Sequence, residues 1–200
     1  MKKELPKTLL LHKNPESLAQ SIKTHFPNLP LTLIDNYFDV PQSLKTEKPE
    51  VFFAFKTGEE GQFPRSAVLN CESVKWIQAS GAGVDHWTPW DPTIVTVTNA
   101  SGIHAEIMAQ YAIWSILNQK LGFPRMAERQ SQKKWDKKLL ESVVGQTLVI
   151  VGYGRIGREV GRVAQAIGLK VIGVRKRPSP CPYAEEVISN CKLQNALGQA

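Results

Sequence analysis

The chain has 200 residues, enough for one large domain or two small ones. Its 25 Lys and Arg outweigh 18 Asp and Glu, for a formal net charge of +7, and 42% of residues are hydrophobic with a mean hydropathy of −0.23. These values exclude an integral membrane protein and a chain disordered throughout, since no run nears the ~18 consecutive apolar residues that a membrane helix needs.

The basic start at Met1-Lys2-Lys3 leads only to the short apolar run Leu9–Leu11, too brief for a signal peptide. Cys71, Cys181 and Cys191 are an odd, sparse set with no metal-ligand spacing, which fits plain thiols in a reducing cytoplasm and no metal site. Positive charge gathers in two stretches, Lys120–Lys138 and Val151–Arg177, each with seven Lys or Arg. No aromatic falls between the basic residues of the second stretch, and no nucleic-acid motif is present. A solvated helix face and a pocket for an anionic small molecule therefore explain the charge better than a nucleic-acid surface.

In chain order, Thr8–Leu11, Leu31–Ile34, Val51–Phe55, Val74–Ala79 and Ile94–Thr98 read as short buried strands. Pro15–Phe26 reads as a helix with Asn14 as N-cap. Continuous apolar strands separated by helical segments predict a parallel sheet covered on both faces. A longer helix is expected over Ile103–Leu121, capped by Ser101, with an apolar stripe at Ile103, Ile107, Tyr111, Trp114 and Leu117. Gly122 and Pro124 end it, and a basic, partly helical, exposed stretch follows from Arg125 to Lys138.

The sharpest signal comes next. The apolar strand Gln146–Val151 runs into Gly152-Tyr153-Gly154-Arg155-Ile156-Gly157, then a helix over Arg158–Ile167, then a strand over Leu169–Val174. This is the opening unit of a dinucleotide-binding fold. Gly152 allows the tight turn, Gly154 lets backbone approach a pyrophosphate, and Gly157 lets helix and sheet pack closely. The helix N-terminus around Arg155 and Ile156 offers N–H groups to phosphate oxygens. A chance glycine turn, or a related fold for flavin or S-adenosylmethionine, is the competing reading.

An NAD site usually places an acid at the end of the second strand, on the ribose hydroxyls. Here Arg175-Lys176-Arg177 stand instead. Three cations attract a 2′-phosphate and a guanidinium bonds it bidentately, so NADP is expected over NAD. A solvated basic turn before Pro178 is the alternative.

Three motifs in order, Ala79-Ser80-Gly81-Ala82-Gly83-Val84-Asp85-His86, Thr98-Asn99-Ala100-Ser101-Gly102-Ile103-His104-Ala105 and the Val151–Gly157 turn, together resemble the D-2-hydroxyacid dehydrogenase family. The nearest flavour is that of glyoxylate/hydroxypyruvate reductases and phosphoglycerate dehydrogenase-like proteins. The resemblance implies an α/β chain of two domains. A flavodoxin-like substrate domain would span 1–99, and a Rossmann NAD(P)-binding domain, incomplete at its C-terminal side, would span 100–200. It also implies that Ala82 and Gly83 hold the substrate carboxylate through backbone N–H groups, and that the long helix lies between the domains near a homodimer interface. A tight turn needing small residues is the plainer reading of 81–83. Gln110 departs from the family, whose members often carry Glu after Met-Ala.

The resemblance further implies a catalytic Arg, Glu and His in Arg-Gly, Glu-Pro and Pro-His contexts, none of which occurs in these residues. No catalytic residue is therefore assigned. His12 and His25 read as surface residues, His86 as structural, and His104 as the start of the long helix. The chain reads as roughly the first three-fifths of a family member, with two strands of the second sheet and a last helix near Glu185–Leu197. The expected activity is NADPH-linked reduction of a small 2-oxo acid, absent from this piece alone; the alternative is a non-catalytic dinucleotide-binding or dimerising remnant. Neither nucleic acid nor membrane is an expected partner.

Overall fold

The structure is a computed structural model that describes residues 4–55, 63–135, 137 and 139–200. Asp136 and Lys138 of the basic stretch and the Met1–Lys3 start lie outside the described residues. The chain divides into two compact units, Met1–Ser101 and Gly102–Ala200.

The first unit is built on five parallel strands, β1 (Thr8–Leu11), β2 (Leu31–Ile34), β3 (Val51–Ala54), β4 (Trp76–Ala79) and β5 (Thr96–Thr98), in the order β2-β1-β3-β4-β5. This is the flavodoxin-like order. Helices α1 (Pro15–His25), α2 (Val40–Glu47) and α3 (Arg65–Leu69) connect the early strands. β1 is an unbroken apolar run because strands flank it and both faces are covered: Leu9, Leu10 and Leu11 are fully buried. Phe52 of β3 and Trp87, just after β4, complete this core with edge-on ring contact. Asn14 occupies the N-cap position of α1, but its side chain makes no capping bond; its N–H donates instead to His12 Nδ1 at 3.0 Å. α2 and α3 have no counterpart in the sequence pattern. Only Val40 and Leu44 of α2 and Val68 of α3 are buried, too few apolar anchors for a periodic signal.

The second unit opens with α4 (Ala105–Lys120) and α5 (Phe123–Ser131). A three-stranded parallel sheet follows, β6 (Thr147–Val151), β7 (Lys170–Val174) and β8 (Glu186–Ile188), in the order β6-β7-β8, with α6 (Arg155–Ala166) between the first two strands. A short helix α7 (Leu193–Leu197) ends the chain. α4 packs on α6, and Ala109 and Ile113 of the first share one buried core with Val160 and Ala164 of the second. Small side chains let the helix axes approach closely.

Four sequence expectations need correction here. The last helix does not span Glu185–Leu197. Glu186–Ile188 instead forms a third strand on β7, with Ile172 opposite Glu186 and Val174 opposite Ile188, and only Leu193–Leu197 is α-helical. β7 would otherwise leave an edge of unpaired backbone groups, and β-branched Val187 and Ile188 suit that edge. Of the expected α4 stripe only Leu117 packs against the core, while Ile107, Tyr111 and Trp114 are 62%, 63% and 60% exposed. The helix is apolar on two sides, and the side bearing Ala109 and Ile113 is the one buried with α6. Finally, α4 starts at Ala105 with His104 at the cap position, not Ser101, and α6 starts at Arg155, so Gly157 lies inside its first turn. Among the described residues no helix is long and apolar enough to cross a membrane.

Candidate functional site

In the second unit the chain leaves β6 through Gly152, whose φ of +95° requires glycine. The N–H groups of Gly152 and Tyr153 both donate to the Val174 carbonyl, at 3.0 and 2.9 Å, tying the turn to the end of β7. Gly154 is the cap residue of α6, and the Arg158 N–H, donating to its carbonyl at 3.0 Å, begins the helical ladder. The N–H groups at Arg155, Ile156 and Gly157 therefore precede that ladder and carry the positive end of the helix dipole. The other two glycines differ in what constrains them. A Cβ on Gly157 would lie 2.6 Å from the Gly152 carbonyl oxygen. A Cβ on Gly154 would meet nothing nearer than 4.0 Å. The protein needs the glycine at 157 for its own packing but not the one at 154, whose open side is free for a ligand.

Tyr153 points inward and is 1% exposed. Gly161 and Gly173 make room for it, since a Cβ on either would meet its hydroxyl or ring within 2.6 Å. Its hydroxyl donates to the Tyr183 carbonyl at 2.5 Å. Burial, then the neighbouring Cys181 thiol, push the phenol above its ordinary value, with Arg158 opposing.

Val174, which receives the turn's two N–H groups, is followed at once by Arg175, Lys176 and Arg177. The Arg175 N–H donates to the Ile188 carbonyl at 3.0 Å, and its guanidinium reaches Ser179 Oγ at 3.3 Å. Lys176 and Arg177 are exposed and, among the described residues, meet no acid. The glycine turn and the three cations are thus held at the carboxyl ends of adjacent strands. By contrast Arg162 on α6 is already paired with Glu159, which lies below its ordinary value because of that bond.

In the first unit the segment 80–84 leaves β4 at the carboxyl edge of its sheet. Ala82 and Gly83 are exposed, and among the described residues neither N–H meets an acceptor. Their surroundings are fixed from β5. The Ala100 N–H donates to the Gly81 carbonyl at 3.0 Å, and Asn99 Nδ2 donates to the Ala82 carbonyl at 2.8 Å. Thr98 clamps the same strand ends, donating to Gln78 Oε1 at 2.6 Å and accepting from Trp76 Nε1 at 2.6 Å. Asp85 flanks the turn, its carboxylate 3.6 Å from where a Cβ on Gly83 would lie. Sequence reasoning missed Asn99 and Thr98 as parts of this site. His86 packs edge-on against Phe63. Cys71, Cys181 and Cys191 are free thiols, and among the described residues no cluster suits a metal ion.

Fold and turn define the class first: a parallel α/β protein whose second unit is of the Rossmann type that binds dinucleotides. Residues 113–200 match the family described as D-isomer specific 2-hydroxyacid dehydrogenase, NAD binding domain. The chain belongs to the D-isomer specific 2-hydroxyacid dehydrogenase family. It is 30% identical over 137 residues to an erythronate-4-phosphate dehydrogenase of Acinetobacter baumannii, covering 67% of this chain and 32% of that protein. It is 34% identical over 80 residues to a hydroxypyruvate reductase of Thermotoga maritima, covering 39% of this chain and 26% of the relative. The fold matches a D-isomer specific 2-hydroxyacid dehydrogenase family protein of Aeromonas salmonicida with a TM-score of 0.79, at 24% identity, over 99% of this chain and 62% of that one. It also matches an NADPH-dependent glyoxylate/hydroxypyruvate reductase of Sinorhizobium meliloti, solved with NADP and sulfate, with a TM-score of 0.74 at 17% identity, over 97% and 60%. The chain thus spans about a third or less of these curated relatives and about three-fifths of these solved chains.

Proposed function

We propose that the chain carries the carboxylate-binding turn and the phosphate-binding half of an NADP-linked oxidoreductase that reduces a small 2-oxo acid of the glyoxylate or hydroxypyruvate type. The observation behind this reading is the placement of Arg175-Lys176-Arg177 directly after Val174, whose carbonyl anchors the glycine turn. The bound dinucleotide would supply the hydride. The chain's own residues bind and orient. The N–H groups at Arg155 and Ile156 hold the pyrophosphate, and Gly152, Gly154 and Gly157 shape the turn that admits it. The cations at 175–177 take the 2′-phosphate, Arg175 and Arg177 with geometry suited to bidentate bonds. The N–H groups of Ala82 and Gly83 hold the substrate carboxylate as a backbone nest. The Thermotoga relative, a hydroxypyruvate reductase by name, supports the substrate class. None of these 200 residues is proposed as the proton donor or as the cation on the carbonyl; the roles proposed for them are binding and orientation. The three free thiols agree with a cytoplasmic setting.

Titration of the chain with NADPH and NADH tests this. NADPH is expected to bind about tenfold or more tighter, as charge-assisted bonds to one phosphate imply. Equal affinities would remove the NADP preference, and no binding of either would remove the dinucleotide reading.

A second reading, a non-catalytic partner that binds dinucleotide or dimerises, draws on the exposed Ile107, Tyr111 and Trp114 of α4. A helix apolar on two sides is ordinarily buried on both, and a second copy of the chain is the occupant we infer. Sedimentation should show a dimer that Tyr111→Glu with Trp114→Glu dissociates; a monomeric wild-type chain would count against it. Measurable NADPH-dependent glyoxylate reduction by the purified chain would overturn the non-catalytic reading.

A further inference from the structure

We propose that Asn99 is the positioning residue that aims the Gly83 N–H at the substrate carboxylate. The inference rests on the reading of the 81–83 turn as the carboxylate site and deepens it.

A trans peptide is planar, so the N–H of one residue points opposite to the carbonyl of the residue before it. Whatever fixes the Gly81 carbonyl therefore aims the Ala82 N–H, and whatever fixes the Ala82 carbonyl aims the Gly83 N–H. The Gly81 carbonyl is held by the backbone N–H of Ala100 at 3.0 Å, a bond that no side-chain substitution at 99 removes. The Ala82 carbonyl is held by a side chain, Asn99 Nδ2 at 2.8 Å. The orientation of that amide is fixed in turn, because Asn99 Oδ1 accepts the Ser101 N–H at 3.2 Å. Exchanging its O and N would set two acceptors face to face at Ala82 and two donors face to face at Ser101. Both carbonyls are thus drawn toward the segment after β5, and the N–H groups of Ala82 and Gly83 turn the other way, into solvent. The two amides of the nest are held unequally, one by backbone and one by a single exposed side chain.

The test uses the 15N-labelled 200-residue chain, titrated with sodium glyoxylate against sodium chloride of matched ionic strength, with the Ala82 and Gly83 amide resonances as readout. Two variants are compared. Asn99→Ala removes both side-chain bonds. Asn99→Asp keeps an acceptor for Ser101 but sets an oxygen against the Ala82 carbonyl. In the wild type both amides should titrate with one dissociation constant. In both variants the Gly83 response should collapse and glyoxylate binding weaken about tenfold, the loss of one hydrogen bond to a charged group. The Ala82 amide should still respond, and NADP+ affinity should be unchanged. A Gly83 response equal to that of the wild type in both variants would overturn the role of Asn99 while leaving the turn as the carboxylate site. A wild type in which neither amide responds to glyoxylate would overturn the carboxylate reading itself, and the proposal with it. Loss at both amides, with NADP+ affinity also reduced, would mean a general structural role and would equally overturn it.

Discussion

Two turns in this chain leave parallel strands at their carboxyl ends and offer backbone N–H groups outward, yet they are built differently. The turn after β6 runs into α6, so successive N–H groups are aligned by helix geometry and backed by the helix dipole. The turn after β4 runs only into a 3-10 segment, Asp85–Trp87, and its peptides are oriented by bonds from the next strand. A cradle made by a helix needs its glycines and little else. A cradle made by tethers is as secure as the tether, and one tether here is a side chain. The two should therefore fail to different substitutions.

The largest effect is expected at Gly157. Gly157→Ala sets a Cβ 2.6 Å from the Gly152 carbonyl, backbone that cannot move aside without opening the turn. Stability of the second unit should fall by about 1–3 kcal/mol, as for overpacked sites, and dinucleotide binding should be lost. Urea unfolding together with an NADPH titration checks both, and a variant as stable and as tight as the wild type would show that the close approach is not needed. Next in size is Arg175→Ala with Arg177→Ala. Loss of charge-assisted bonds to the 2′-phosphate should cost about 1.5–3 kcal/mol of NADP+ affinity and leave NAD+ binding unaltered. Equal loss for both nucleotides would mark the trio as a general cationic surface. Gly154→Ala should then separate ligand from fold. The chain has room for that Cβ, so stability should change by no more than about 0.5 kcal/mol while NADPH binding weakens about tenfold. If binding is untouched, no phosphate lies against Gly154.

The two turns also differ in how far the sequence reveals them. The glycine turn is local: strand, spacing and helix lie in one stretch, and each glycine has a nearby reason. The turn proposed to hold the carboxylate is readable at Gly81–Gly83 only through family resemblance, because its tether joins Ala82 to Asn99 across seventeen positions, and no periodicity encodes that contact. An Asn closing a strand, ahead of Ala-Ser, is the one local hint. Strand β8 escapes detection for a related reason. Three residues among polar neighbours carry no period, and they become a strand because β7 offers an edge. On α4 the pattern is legible but its meaning is not. Periodicity finds Ile107, Tyr111 and Trp114, while the contact with α6 selects the Ala109 and Ile113 side.

The smallest effect tests whether the turn's one buried side chain serves the fold or the ligand. Tyr153→Phe keeps the ring between Gly161 and Gly173 and removes only the hydroxyl that donates to Tyr183. Near neutral pH this should cost about 1 kcal/mol, the worth of one hydrogen bond, and leave NADPH affinity unchanged because the cradle is backbone. The pH dependence has a definite sign. Burial raises the folded-state phenol above its ordinary value of 10.0, so above that pH the unfolded chain releases a proton that the folded chain keeps. The unfolded state then binds fewer protons, and stability falls as pH rises. The hydroxyl's contribution is complete below the unfolded value and declines above it, whereas the Phe variant lacks this decline. The two stabilities, measured by urea unfolding at stepped alkaline pH, should therefore converge and then cross. A difference that stays constant would mean that the Tyr153 phenol ionises as freely in the folded chain as in the unfolded one. A parallel loss of NADPH affinity in the Phe variant would make the helix-built cradle depend on a side chain after all, as the turn at Ala82 and Gly83 does on Asn99.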